Sequence, residues 1–216
     1  MEGAKTPIYQ ASSRSALLAA LGGCIKGHES WHKAGILHRD IFPYNLMINE
    51  DPENLSWPFF LIDLDSATRE QRNGTPGADD KMIGTWVFMA VGVLMREDHS
   101  FMHDLESFFW VLFWICIHWY GPGESRVVAE FEMWHDVRAG ELAALKKGHV
   151  SHEGDFLRAA KRNFTPYYQP MIPWVNKLRK AVFPNGGRWE REDSGLYARM
   201  REILEKARKD PNVAAE

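Results

Sequence analysis

The chain has 216 residues, 45% hydrophobic and 25% charged, with a net charge of -3. That length and balance suit one globular domain, or two small lobes, with enough chain to bury a core, and give no electrostatic case for nucleic acid or an acidic membrane. Cys24 and Cys116 both lie in apolar, helix-like stretches, which argues against a disulfide framework and for a reducing compartment, cytoplasmic or nuclear. The segment from Met1 to Pro7 lacks the apolar run of a signal peptide.

Residues 1–12 read as an irregular lead-in. From Ser13, Leu17, Leu21, Cys24/Ile25, His28 and Trp31/His32 recur at helical spacing, weakened by Gly22, Gly23 and Gly27 and stopped at Gly35. The stretch from Gly35 to Asn49 then runs apolar, polar, apolar: two short buried strands flanking a loop with His38, Arg39, Asp40 and, five places after the aspartate, Asn45. Phosphoryl transfer needs such a pair, one group to orient and deprotonate the attacking hydroxyl and one to hold a metal. Alone the pair is weak, because an Asp and an Asn in a loop commonly satisfy a turn.

Phe59 to Ile62 reads as a strand closed by Asp63, forming a hairpin with Leu46–Ile48 through residues 49–58. A carboxylate at a strand end beside an Asp/Asn loop is how oxygen ligands gather for nucleotide-bound magnesium. Residues 66–83, with Asn73-Gly74-Thr75-Pro76-Gly77, read as a mobile surface loop; whether Thr75 is phosphorylated stays open. Phe108 to Tyr120 is almost continuously apolar but too short to span a membrane, which makes it a buried core helix. Helices are expected over 126–147 and 152–163. Pro166, Pro170 and Pro173 break the pattern; a short helix follows over 174–183, stopped near Pro184 to Gly187, and a charged amphipathic one over 196–209. No internal repeat is present.

The ordered set His38-Arg39-Asp40, Asn45, Leu61-Ile62-Asp63-Leu64-Asp65, Gly84-Thr85 and His103-Asp104-Leu105-Glu106-Ser107 resembles the C-terminal lobe of a protein kinase, and within that superfamily the fungal-type protein kinases. The resemblance covers about residues 13–210, with 211–216 as a tail. It implies a mainly α fold with a small β-hairpin, an ATP and magnesium site, and transfer of phosphate to a protein Ser/Thr hydroxyl. On it, Asp40 is the catalytic base, and Asn45 and Asp63 are the magnesium and nucleotide ligands. His38 and Arg39 are structural, Arg39 facing a negative group on the activation segment. Thr85 lines the acceptor site, and Asp104 braces the backbone of the catalytic loop. The ordinary alternative for Asp104 is a helix N-terminal carboxylate favoured by the dipole, and both can hold.

This sequence departs from the resemblance in several places. Phe42 stands where a lysine or serine would contact the transferring phosphate, removing electrostatic stabilisation. Asp65 replaces a glycine, as in the fungal-type family, and Gly92 occupies a position usually held by glutamate, so the ion pair anchoring the activation segment is expected to be missing. No glycine-rich loop or strand lysine occurs in these residues, and too few precede His38 for an N-terminal lobe. Low activity of this chain alone, as a truncated or degenerate kinase, is therefore expected.

Three alternatives compete. A non-catalytic interaction module would use the helical lobe as a docking surface for a protein partner, with oligomeric state open. A small-molecule kinase would share the Asp40/Asn45 arrangement, but Arg39 argues against it. The third comes from His28-Glu29-x-x-His32-x-x-Gly35-x-x-His38, which fits a metzincin zinc-protease pattern in full. That reading leaves Asp40, Asn45, Asp63 and Asp104 unexplained, and His28 and His32 read more simply as helix-face residues.

Overall fold

A computed structural model describes residues 6–50, 58–69 and 83–215. It is mainly α-helical with two small antiparallel sheets. The chain enters as β1 (Thr6–Pro7), followed by a 3-10 turn at Ile8–Gln10 whose Ile8 is fully buried. The lead-in expected to be irregular is therefore ordered from Thr6, because β1 adds to the hairpin edge and Ile8 finds a place in the core.

Helix α1 (Arg14–Lys33) begins where Ser13 caps it, the hydroxyl accepting from the Ala16 amide at 2.9 Å. Its buried face, Leu17, Leu18, Leu21, Cys24, Ile25 and His28, is the one the helical spacing marks. Gly23 is required there, because a Cβ would strike the Phe59 ring of the strand crossing above it. Gly35, at φ +76°, ends the helix as expected.

After α1 come β2 (Ile36–Leu37), β3 (Leu46–Ile48), β4 (Phe59–Leu61) and β5 (Thr68–Arg69). β3 and β4 form the expected hairpin, with Leu46 opposite Leu61, and β1 flanks β3. β2 belongs to a second sheet, paired with β5. Thr68 and Arg69 thus form a strand inside the stretch read as a loop; residues 70–82, with Thr75, lie outside the described residues.

A 3-10 turn at Trp86–Phe88 leads to α2 (Val91–Leu94) and then to α3 (Phe101–His118). All eighteen residues of α3 are buried, which answers its almost unbroken apolar sequence: the helix is the axis around which the others pack. Trp110 and Phe113 of α3 meet Trp134 and Phe131 edge to face at 5.7 Å, an aromatic arrangement that adds to area burial.

The helix expected over 126–147 is broken in two. α4 (Ala129–Glu132) and a 3-10 turn at Met133–His135 come first, then α5 (Ala139–Ser151). The break lets Phe131 and Trp134 both face α3. α6 (Glu153–Asn163), α7 (Ile172–Val182) and α8 (Gly195–Arg208) lie where periodicity and prolines put them. A short α9 (Pro211–Ala214) replaces the expected tail, held because Val213 is buried and its carbonyl accepts from Arg14 Nε at 2.9 Å. α8 packs along α1. Among the described residues no helix is long and apolar enough to cross a membrane.

Candidate functional site

The polar loop between β2 and β3 is built around one buried carboxylate. Asp104, in the first turn of α3, accepts from the His38 amide at 3.0 Å and the Arg39 amide at 3.1 Å. It also meets His28 Nε2 at 2.7 Å and His99 Nε2 at 2.8 Å. Burial pushes the Asp104 carboxyl upward, but charge and hydrogen bonds from His99 and His28 outweigh it and hold the group well below the usual carboxylate range. The bracing of the loop backbone expected of Asp104 is therefore present.

That grip fixes a backbone conformation the loop would not hold alone. Arg39 sits at φ +66°, left-handed for a residue with a Cβ. Its amide is held by Asp104 and its Nε donates to the Ser66 carbonyl at 2.8 Å; residues 70–82, where an anionic partner was expected, lie outside the described residues. His38 is buried with its Nε2 against the Ile62 carbonyl at 3.1 Å, and burial lowers its pKa despite the Asp104 charge. Both side chains are thus bonded to backbone carbonyls of the following segment.

Asp40 then projects from a fixed position. Its Oδ1 accepts from the Thr85 amide at 2.7 Å and the Thr85 hydroxyl at 2.9 Å. Gly84 makes that approach possible: at φ +118°, any Cβ would come within 2.5 Å of the Arg39 carbonyl. Buried Asn45 donates from Nδ2 to the Asp40 carbonyl at 3.0 Å, leaving its amide oxygen as the atom available to a cation. The Ile62 amide donates to the Asn45 carbonyl at 3.0 Å, which sets Asp63 beside Asn45 across the hairpin. Asp63 itself is exposed, at φ +62°, with Oδ1 accepting from the Asp65 amide at 3.1 Å. The structure thus brings Asp40, Asn45 and Thr85 into one bonded group and sets Asp63 at its edge. Phe42 packs against exposed Tyr44, ring centroids 5.8 Å apart.

Sequence reading missed the polar network beneath α2. Glu106, fully buried in α3, accepts from the Val91 amide at 2.7 Å and from Trp110 Nε1 at 3.0 Å. Lys146 of α5, equally buried, donates to the Met89 carbonyl at 2.5 Å and lies over Trp110 at 4.6 Å. Burial raises the Glu106 pKa and brings that of Lys146 down to about 7, each opposed by the charge of the other. The missing glutamate at Gly92 therefore does not leave the segment unanchored. A carboxylate inside an otherwise apolar helix was the signal for Glu106; nothing distinguished Lys146 from its neighbour Lys147.

The zinc arrangement does not form. His28 is committed to Asp104 and, through Nδ1, to the Tyr197 hydroxyl at 2.7 Å. His32 stacks on Phe101 at 4.1 Å, and Glu29 pairs with Lys33 and Arg201. Among the described residues no three His, Cys, Asp or Glu side chains are placed to hold a metal. His28 is nonetheless more than a helix-face residue, since it is one of the two imidazoles that hold Asp104.

The sequence model of the family described as Fungal protein kinase matches residues 1–116, more than half of the chain. The chain belongs to that family. A probable serine/threonine-protein kinase of Dictyostelium discoideum is 37% identical over 93 residues, 43% of this chain and 6% of that protein. The chain therefore spans only a small part of that relative's length. Helices α4 to α9 lie beyond the matched residues, yet Tyr197 reaches back from them to His28 of α1 and Lys146 to the Met89 carbonyl just ahead of α2.

Proposed function

We propose that the chain is a protein-kinase C-terminal lobe whose site serves phosphate transfer from ATP to a Ser/Thr hydroxyl of a protein. The observation that carries this reading is the fixed group of Asp40, Thr85 and Asn45, held from behind by Asp104, in a member of the fungal protein kinase family.

Asp40 is the group that orients the acceptor hydroxyl and takes its proton. Thr85 holds one carboxylate oxygen, and Asp40 Oδ2, which takes a long 3.5 Å bond from Asn45 Nδ2, is the oxygen offered to the acceptor. Asn45 and Asp63 offer an amide oxygen and a carboxylate, a hard-oxygen set that fits magnesium, which keeps most of its shell for phosphate and water. Magnesium bound with ATP would supply neutralisation of phosphate charge at this edge. These 216 residues contain neither a glycine-rich loop nor a strand lysine, and Phe42 offers no polar atom to the phosphate. Turnover of this chain assayed alone is therefore slow.

The test is transfer of labelled phosphate from Mg-ATP to a mixed Ser/Thr protein substrate. Slow incorporation that disappears in Asp40→Asn is expected; incorporation equal in both proteins would remove Asp40 from the reaction. A second reading is a non-catalytic interaction module, favoured by exposed Tyr44, Ile62 and Leu64 around the same site. Under that reading Mg-ATP neither binds nor reacts.

A further inference from the structure

We infer that Glu97 is a positioning residue: its ion pair with Arg188, seated over Gly92, clamps the segment from Gly84 to Leu94 and so keeps Thr85 on Asp40. The clamp starts with the space a missing side chain leaves. A Cβ on Gly92 would run into His103 Nε2 and would come within 2.6 Å of Arg188 Nη2 and 2.7 Å of Glu97 Oε2. The volume beside Gly92 is thus already filled by three side chains from elsewhere.

The chain is folded to deliver one of them. The Glu97 amide donates to the Gly92 carbonyl at 3.0 Å, closing a tight return after α2, and Arg96 adopts φ +66° to allow it. The Glu97 carboxylate then takes both terminal nitrogens of Arg188, which precedes α8. That fork-to-fork pairing lowers the Glu97 pKa and raises that of Arg188.

Two further features show that the pair closes a buried face. His103 is 1% exposed, and its Nε2 has no hydrogen-bond partner among the described residues and lies 3.7 Å from the Glu97 carboxylate. Trp189 covers the other side, its ring 5.1 Å from that of His103. The pair also joins regions 91 residues apart in sequence, tying α2 to the helices beyond it. Glu106 and Lys146 hold the inner side of α2, while Glu97 and Arg188 hold its outer side.

The experiment is amide hydrogen exchange of the whole chain, which requires no phosphotransfer and so stands apart from the reading of the site as a kinase. Glu97→Gln is expected to speed exchange over residues 84–94, the Thr85 amide included, roughly tenfold, with α3 unaffected. Arg188→Glu alone does the same, and the exchanged pair Glu97→Arg with Arg188→Glu recovers much of the loss. That recovery separates a specific pair from general loosening. Unchanged exchange in Glu97→Gln would overturn the inference, as would a charge-swapped protein no better protected than Arg188→Glu.

Discussion

The two sides of the site are built differently. On the Asp40 side, a buried carboxylate with four donors fixes the loop backbone, and Thr85 and Asn45 then fix the side chain and its own carbonyl. On the Asp63 side, the carboxylate is exposed, its conformation is held among the described residues by a turn bond to Asp65, and Ile62 and Leu64 beside it face outward. Under the proposed function, that difference divides the two requirements of the reaction. Orienting an acceptor hydroxyl demands a carboxylate placed before the reaction, whereas a magnesium edge can be completed by the phosphates and water it binds.

That contrast can be broken most severely at Asp104. Asp104→Ala leaves two imidazoles and two backbone amides without their acceptor and should cost about 3–5 kcal/mol, read as a lower unfolding midpoint in urea. A loss below about 1 kcal/mol would mean the loop is held by something else.

A pH series reads the buried histidines at the two ends of α3. Burial lowers His103 and His118 to about 4, so both are neutral in the folded protein while the unfolded chain takes up protons below its ordinary histidine pKa. Stability is therefore full above about pH 6.5 and falls as the pH drops towards 4, by up to about 3 kcal/mol for each. The Asp104 contribution has the opposite origin: its depressed pKa keeps it intact until the pH passes below the ordinary carboxylate range. His118→Phe keeps the stacking on Trp114 and should flatten the pH 6.5 to 4 decline in thermal stability.

Smaller effects separate the two sides directly. Thr85→Val removes the hydroxyl bond to Asp40 and is expected to cost about 1 kcal/mol, with a further loss in any phosphotransfer. Asp63→Asn should change stability by less than about 0.5 kcal/mol, because the side chain is exposed and an amide oxygen can still accept from Asp65. Matching stability losses for the two variants would erase the distinction between the fixed and open sides.

Much of this was legible in the sequence where one local rule governs. Gly35 stops α1, the apolar run becomes α3, and Leu46–Ile48 and Phe59–Leu61 pair as a hairpin. The loop residues and the Asp104 brace followed from the family resemblance, and the family itself is borne out by the match. Tertiary partners were not legible. Nothing near Thr6 says that a two-residue strand will extend the hairpin, and nothing near Val213 says that Arg14, far away in sequence, will hold it. The same holds for Lys146 and Arg188, ordinary surface-type residues until the fold places carboxylates beside them. Local sequence around His28 fits a zinc ligand or a plain helix-face residue, because its partners, Asp104 and Tyr197, lie 76 and 169 positions away.

The most direct test of the central claim is thermal unfolding of the whole chain against increasing Mg-ATP. The account predicts a midpoint that rises with Mg-ATP, needs magnesium, and no longer rises in Asp63→Asn, whose folding is otherwise unchanged. No rise at any magnesium concentration, or a rise that Asp63→Asn leaves intact, would contradict it.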